Sequence, residues 1–269
     1  MTRVDPGLLT LIGRWIAAAD PDGPPPILGV AGAQGSGKST LARAAADRFR
    51  CAALSLDDVY LTRAERQALA REVHPLFATR GPPGTHDLLL LRDTLDRVRR
   101  ATADAVTPLP RFDKLGDERA PETDWPRFRG RPPAILLDGW CLGARPQRSA
   151  DLDAPVNALE RERDPDGVWR RTVDAALAGP YAEAFARLDA LVFLRAPAFE
   201  TVLDWRCEQE AEMLGVDRLP AGRRADMAVF IQHFERLTRS MLDGGIDADL
   251  TVELDAGRRP VAIRGRLAR

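Results

Sequence analysis

The stretch ILGVAGAQGSGKST, residues 27–40, passes from a short apolar run through a glycine-rich loop into a segment of helical composition. Residues Gly32 to Ser39 fit GxxxxGK followed by Ser or Thr, and a strand before and a helix after is the context in which that motif binds phosphate. Small residues let the backbone wrap tightly. The amide hydrogens of Gly32, Ala33, Gln34, Gly35, Ser36 and Gly37, with the helix start at Ser39 and Thr40, then converge on phosphate oxygens. Lys38 neutralises β- and γ-phosphate charge, and Ser39 is placed to ligate magnesium. The loop therefore predicts a nucleoside triphosphate and Mg2+ as ligands, with the base left open. GTPases read guanine with an NKxD run and ABC-type ATPases carry an LSGGQ-type signature; neither occurs in the chain, which favours a kinase.

Working outward, further short apolar runs at 52–56, 134–138, 190–194 and 250–254 alternate with helix-prone segments at 39–49, 62–73, 88–98, 169–177, 181–188, 199–213 and 227–242. That alternation predicts an α/β fold of the phosphate-loop kinase type, a five-stranded parallel sheet flanked by helices, with ligands beyond the carboxyl ends of the strands. An amphipathic helix at 8–19 precedes a proline-rich connector, Asp20 to Pro26, which cannot continue a helix. Residues 1–269 read as one kinase domain, with 1–26 as N-terminal helix and connector and 151–188 as a helical insertion shaping the acceptor pocket.

Composition narrows the function classes. The 269 residues include 39 Lys plus Arg against 40 Asp plus Glu, a net charge of -1, and 45% hydrophobic residues. Disordered, collagenous and coiled-coil readings fail on this balance. A near-neutral chain is not expected to bind nucleic acid, although Arg127, Arg129 and Arg131 form a local basic patch suited to small anions. Cys51, Cys141 and Cys207 lack metal-ligand or CxxC spacing. The first 25 residues lack signal-peptide features, and no apolar run approaches the ~18 residues of a membrane helix, so a cytoplasmic protein without membrane partner is expected. Oligomeric state stays open.

Acidic residues close two of the strands. Asp57 follows the strand at 52–56, where a carboxylate accepts the proton of an attacking hydroxyl in phosphoryl transfer. Asp58 either joins it or caps the next segment. Asp138 ends the run 134–138 and is placed to orient magnesium, or forms a turn beside Gly139. The long irregular segments 74–87 and 107–133 are expected to rim the site, because ordered loops of that length are commonly functional.

SLDDVYLTRAERQALA, HPLFATRGPPGTHD, PRFDK, DGWCLGARPQ and PVNALE together resemble the D-glycerate 3-kinases, in the uridine kinase and phosphoribulokinase group. The similarity spans about 27–210. It implies transfer from ATP, with magnesium, to the 3-hydroxyl of D-glycerate. It places Asp57 near the acceptor hydroxyl, with Asp58 and Tyr60 in the same block, and marks Arg80, His86 and Asp87 as substrate-side residues. Arg80, Lys114 and Arg119, in the rim loops, are candidates to hold the acceptor's carboxylate, for which a bidentate Arg suits better than Lys. His86 either bonds a glycerate hydroxyl or caps the following helix. Related kinases carry a lid arginine that closes on the phosphates; Arg206 is placed for that role, or for an ion pair with Glu210 at i+4. Family members more often carry Phe at position 59 and Glu at 138, where this chain has Val59 and Asp138. Two alternatives remain: a kinase of the same group for a nucleoside, pantothenate or sugar phosphate, or a nucleotide-binding regulator without kinase activity.

Overall fold

A computed structural model describes residues 4–267; the outermost ends of the expected 1–269 domain and of segment 1–26 lie outside the described residues. Helix α1 (Pro6–Ala17) starts at Asp5, whose carboxylate accepts from the Leu8 amide at 3.0 Å, with Pro6 setting the first helical φ. Strand β1 (Ile27–Gly32) leads into α2 (Lys38–Phe49), then β2 (Ala52–Ser55) and a 3-10 turn at Leu56–Val59. Helix α3 (Arg63–Glu72) opens with a reciprocal capping box between Thr62 and Glu65, and α4 (Leu88–Arg99) is capped by Asp87. Short strands follow: β3 (Val106–Pro108), β4 (Phe112–Asp113), β5 (Glu118–Arg119) and β6 (Arg127–Arg129), then β7 (Ile135–Gly139). Helices α5 (Ala158–Arg163), α6 (Val168–Ala176) and α7 (Ala182–Phe185) precede β8 (Ala190–Arg195). Helices α8 (Phe199–Leu214) and α9 (Ala221–Leu242) and strands β9 (Leu250–Leu254) and β10 (Pro260–Gly265) complete the chain.

The main sheet has the order β10-β9-β8-β1-β7-β2. The five expected strands pair in parallel, and β10 adds a sixth, antiparallel edge strand. Its alternating, largely exposed residues lack the apolar run that marked the others. Strand β1 is buried along its whole length because both faces are covered. On one face Ile12, Trp15, Leu41, Ala45, Val202 and Trp205 pack from α1, α2 and α8. On the other, Leu91, Leu95, Val98, Leu237 and Met241 pack from α4 and α9.

Helix boundaries follow the expected segments with two exceptions. The predicted helix 181–188 shrinks to α7, preceded by a π-helical turn at Leu177–Tyr181 whose Gly179 leaves helical geometry ahead of Pro180. Helix α9 begins six residues earlier than the predicted start at 227, at Ala221 directly after Pro220.

Candidate active site

The consecutive strands β1 and β2 are separated in the sheet by β7, so their carboxyl ends open onto a crevice of the kind in which α/β sheets bind ligands. Register places Asp138 of β7 beside Val30 of β1 and Ser55 of β2. The phosphate loop leaves β1 at that level. Gly35 and Gly37 adopt left-handed backbone, φ 75° and 90°. A Cβ on Gly35 would lie 2.6 Å from Trp205 Cβ, whereas one on Gly37 would meet nothing within 4 Å among the described residues. The loop is thus packed on α8 from behind and open in front. Ser36 Oγ and Gln34 Oε1 are buried without a partner among the described residues, as expected of a cradle that a phosphate completes.

Lys38 and Ser39 start α2. Desolvation lowers the Lys38 pKa, opposed by the carboxylates of Asp57 and Asp138. Ser39 Oγ donates to Asp138 Oδ2 at 2.6 Å, and Ser55 Oγ approaches the same oxygen at 3.4 Å. Asp138 is buried, and desolvation raises its pKa despite Lys38 and the Ser39 bond. A divalent cation would favour its ionised form. Among the described residues no cluster of three His, Cys, Asp or Glu side chains could hold a metal by itself. The pair Ser39 and Asp138 therefore suits Mg2+, which uses few protein oxygens and takes the rest from phosphate and water.

Asp57 lies in the 3-10 turn after β2. Tyr60 Oη donates to its Oδ1 at 2.7 Å and Lys114 Nζ to its Oδ2 at 2.6 Å. Burial opposes ionisation, but Lys114 and Lys38, together with these hydrogen bonds, hold the carboxyl well below the usual carboxylate range. Asp58 accepts from the Phe112 amide at 3.2 Å, and desolvation raises its pKa. It thus ties the 3-10 turn to the hairpin β4–β5. A cleft of about 340 Å³ is lined by Ser39 and Arg43 of α2, by Ser55, Asp57 and Asp58, and by Arg111, Phe112, Asp113, Lys114 and Leu115.

Several residues expected at the rim brace it instead. Arg80 is ion-paired to Asp117 and donates to the Lys114 carbonyl at 3.1 Å. Arg119 donates to the Tyr60 carbonyl at 2.9 Å and to Asp87 at 3.0 Å, while Asp87 caps α4. His86 is buried and stacked on Tyr60 at 4.7 Å between centroids; desolvation lowers its pKa to about 4, against a raising influence from Asp57. Arg206 forms the i+4 ion pair with Glu210 at 2.9 Å, the alternative reading of that residue. Its neighbour Trp205 packs on Gly35.

Four residues here escaped the sequence reading. Tyr181 Oη accepts from the Gly84 amide at 2.9 Å and lies 2.5 Å from His86 Nδ1. Arg258 donates from Nε to the Gly35 carbonyl at 2.6 Å and lies 5.2 Å from the Trp205 ring centroid. Buried Arg66 donates to the carbonyls of Leu61, Ala78 and Asp117. Arg111 belongs to the PRFDK block; the other three join segments distant in the chain and carry no local signal.

With this geometry in view, comparison with known proteins gives a consistent result. Over 230 residues the chain is 33% identical to a protein named uncharacterized kinase mug58 from Schizosaccharomyces pombe, covering 80% of each sequence. The chain belongs to a kinase family that includes this protein. A relative named chloroplastic D-glycerate 3-kinase, from Arabidopsis thaliana, is 32% identical over 71% of this chain but over only 42% of its own length. The fold matches the solved D-glycerate 3-kinase of Cryptococcus neoformans var. grubii with a TM-score of 0.74 and 22% identity, over 96% of both chains. No protein-family profile matches the sequence. Among the described residues no helix is long and apolar enough to cross a membrane.

Proposed function

We propose that the chain, acting as one kinase domain, transfers the γ-phosphoryl group of ATP to the 3-hydroxyl of D-glycerate, giving 3-phosphoglycerate. The observation that carries this reading is the cleft itself. It joins the phosphate-loop Ser39 and the carboxylate of Asp57 to the cations Lys114, Arg111 and Arg43 in one space. A small acid with a hydroxyl fits such a division, its carboxylate toward the cations and its hydroxyl toward Asp57. The plant relative's name, D-glycerate 3-kinase, supports glycerate over other acids.

In this mechanism the loop amides and Lys38 hold the β- and γ-phosphates, and Ser39 with Asp138 would hold Mg2+, which supplies charge neutralisation to the phosphates when bound. Asp57 orients the acceptor hydroxyl in line with the γ-phosphorus and takes its proton at Oδ2. Tyr60, holding Oδ1, fixes the carboxylate plane. The hydroxyl oxygen bonds to phosphorus as the bond to the β–γ bridging oxygen breaks and ADP departs. Lys114 and Arg111 receive the acceptor's carboxylate, while Arg80, Asp87 and Arg119 keep the hairpin and 3-10 turn in place for that contact. His86 backs Tyr60. Arg206 would serve the phosphates only by leaving Glu210.

ADP release measured with D-glycerate, L-glycerate, uridine, pantothenate and water alone tests the proposal, with the product identified by phosphorus NMR. Stimulation by D-glycerate and formation of 3-phosphoglycerate are expected. Transfer to uridine or pantothenate instead would replace glycerate as the acceptor.

A further inference from the structure

Both oxygens of Asp57 are engaged by the chain itself, and the two partners are held very differently. Tyr60 is buried, stacked on His86 and packed edge-on against Phe112, so its bond to Oδ1 is part of the core. Lys114 sits in the loop joining β4 to β5, with 51% of its side chain exposed, beside Leu115 at 92% exposure. The backbone beneath it is anchored: Asp58 takes the Phe112 amide, Arg80 takes the Lys114 carbonyl, and Asp117 is gripped by Arg66 and Arg80. A long, half-exposed ammonium on a fixed base can exchange one carboxylate for another, because exposed ion pairs are weak.

We propose that Lys114 is a specificity-determining residue that ties down Asp57 Oδ2 until an acceptor carrying its own carboxylate takes the ammonium and frees that oxygen for the acceptor hydroxyl. This rests on the kinase reading above and adds a trigger to it, the anionic group of the acceptor. Water lacks that group. Hydrolysis of ATP would need a water oxygen to bond to the γ-phosphorus, ADP to leave with the electron pair of the broken bridging bond, and Asp57 to take the proton. With Lys114 on Oδ2 the carboxylate is a poor base and that oxygen is already taken. The depressed basicity of Asp57, to which Lys114 contributes the largest opposing charge, agrees with the geometry.

The test compares ADP release by the full chain, with ATP and Mg2+ but no acceptor, for wild type, Lys114→Met and Lys114→Arg. D-lactate, which is D-glycerate without the 3-hydroxyl, and its neutral isostere D-lactamide serve as probes. Lys114→Met should raise acceptor-free release roughly fivefold or more, a part of the ~10²- to 10⁴-fold that a fully positioned general base supplies. Lys114→Arg, which keeps the cation but not its point-charge geometry, should raise acceptor-free release by less than Lys114→Met does. D-lactate should stimulate wild type by a similar factor and leave Lys114→Met unchanged, while D-lactamide stimulates neither. In Lys114→Met the KM for D-glycerate should rise and the KM for ATP should not. The proposal is overturned if folded, ATP-binding Lys114→Met hydrolyses ATP at the wild-type rate, or if D-lactate competes with D-glycerate without stimulating hydrolysis. Failure of wild type to phosphorylate D-glycerate would remove the acceptor assignment instead, and the comparison in water alone would still decide the role of Lys114.

Discussion

The phosphate loop beside the cleft and the wall proposed to face the acceptor are made of different material. Residues 32–40 form the first from consecutive backbone, with left-handed turns at Gly35 and Gly37 and Lys38 as its main charged side chain. The second is assembled from side chains far apart in the chain: Lys114 meets Asp57 across 57 positions, and Asp58 meets Phe112 across 54. A backbone cradle tolerates almost no change in its own residues but needs little from elsewhere. A wall of paired charges can be retuned one residue at a time, but each member depends on its partner.

The sharpest way to break this contrast is Lys38→Ala. Its ammonium supplies phosphate charge neutralisation, so transfer should fall by at least ~10³-fold while the thermal melting curve is unchanged. Turnover near wild type in the folded variant would remove the nucleotide site. On the acceptor wall, Asp57→Asn keeps size and removes the proton acceptor, so kcat should fall by roughly 10²- to 10⁴-fold while ATP binding, followed by a fluorescent nucleotide, barely changes. If instead turnover persists, Asp58→Asn is the variant that should lose it.

His86 probes how much of the acceptor wall is core. Its pKa falls from 6.5 to about 4 on burial, so between those values the unfolded chain binds more protons than the folded one. Stability should therefore decline as pH drops through that window, by about 3 kcal/mol in all at ~1.36 kcal/mol per unit. Urea unfolding at pH 7 and pH 4 should show this loss shrinking in His86→Asn. Equal losses in both proteins would place the acid sensitivity elsewhere.

Gly35→Ala tests the back of the phosphate wall. A Cβ there collides with Trp205 and takes a left-handed φ, which costs roughly 1–3 kcal/mol. A lower melting temperature and weaker ATP binding are expected together. The smallest effect should come from Arg80→Lys. Its fork braces Asp117 and the Lys114 carbonyl, and a point charge reproduces only part of that grip. The KM for the acceptor should rise a few-fold, about 2- to 5-fold, with the KM for ATP unmoved. A change confined to ATP would make Arg80 a phosphate ligand.

How far each wall was legible in the sequence follows from the same contrast. The loop, its strand and its helix are contiguous. Strands β2 and β9 show the alternate burial of strands nearer the sheet's edges, whereas β1, β7 and β8 announced themselves as apolar runs because both their faces are covered. The antiparallel β10 did not, since an edge strand with exposed side chains has no such run. Arg80, Arg119 and Arg206 were recognisable as cations near the site. Their partners Asp117, Asp87 and Glu210 were not assignable for the first two, because nothing local in a chain distinguishes an arginine awaiting a ligand from one already paired.

The sequence by itself determined the α/β class, the phosphate loop, and the acidic ends of β2 and β7, because each is encoded in neighbouring residues whose spacing sets backbone geometry. Only the tertiary structure decided that Asp57 is shared between Tyr60 and Lys114, that Tyr181 reaches His86, and that Arg258 reaches the back of the phosphate loop. Those contacts depend on where loops and hairpins dock against the sheet. Docking is set by burial and charge pairing summed over the whole chain, which no single stretch of sequence carries.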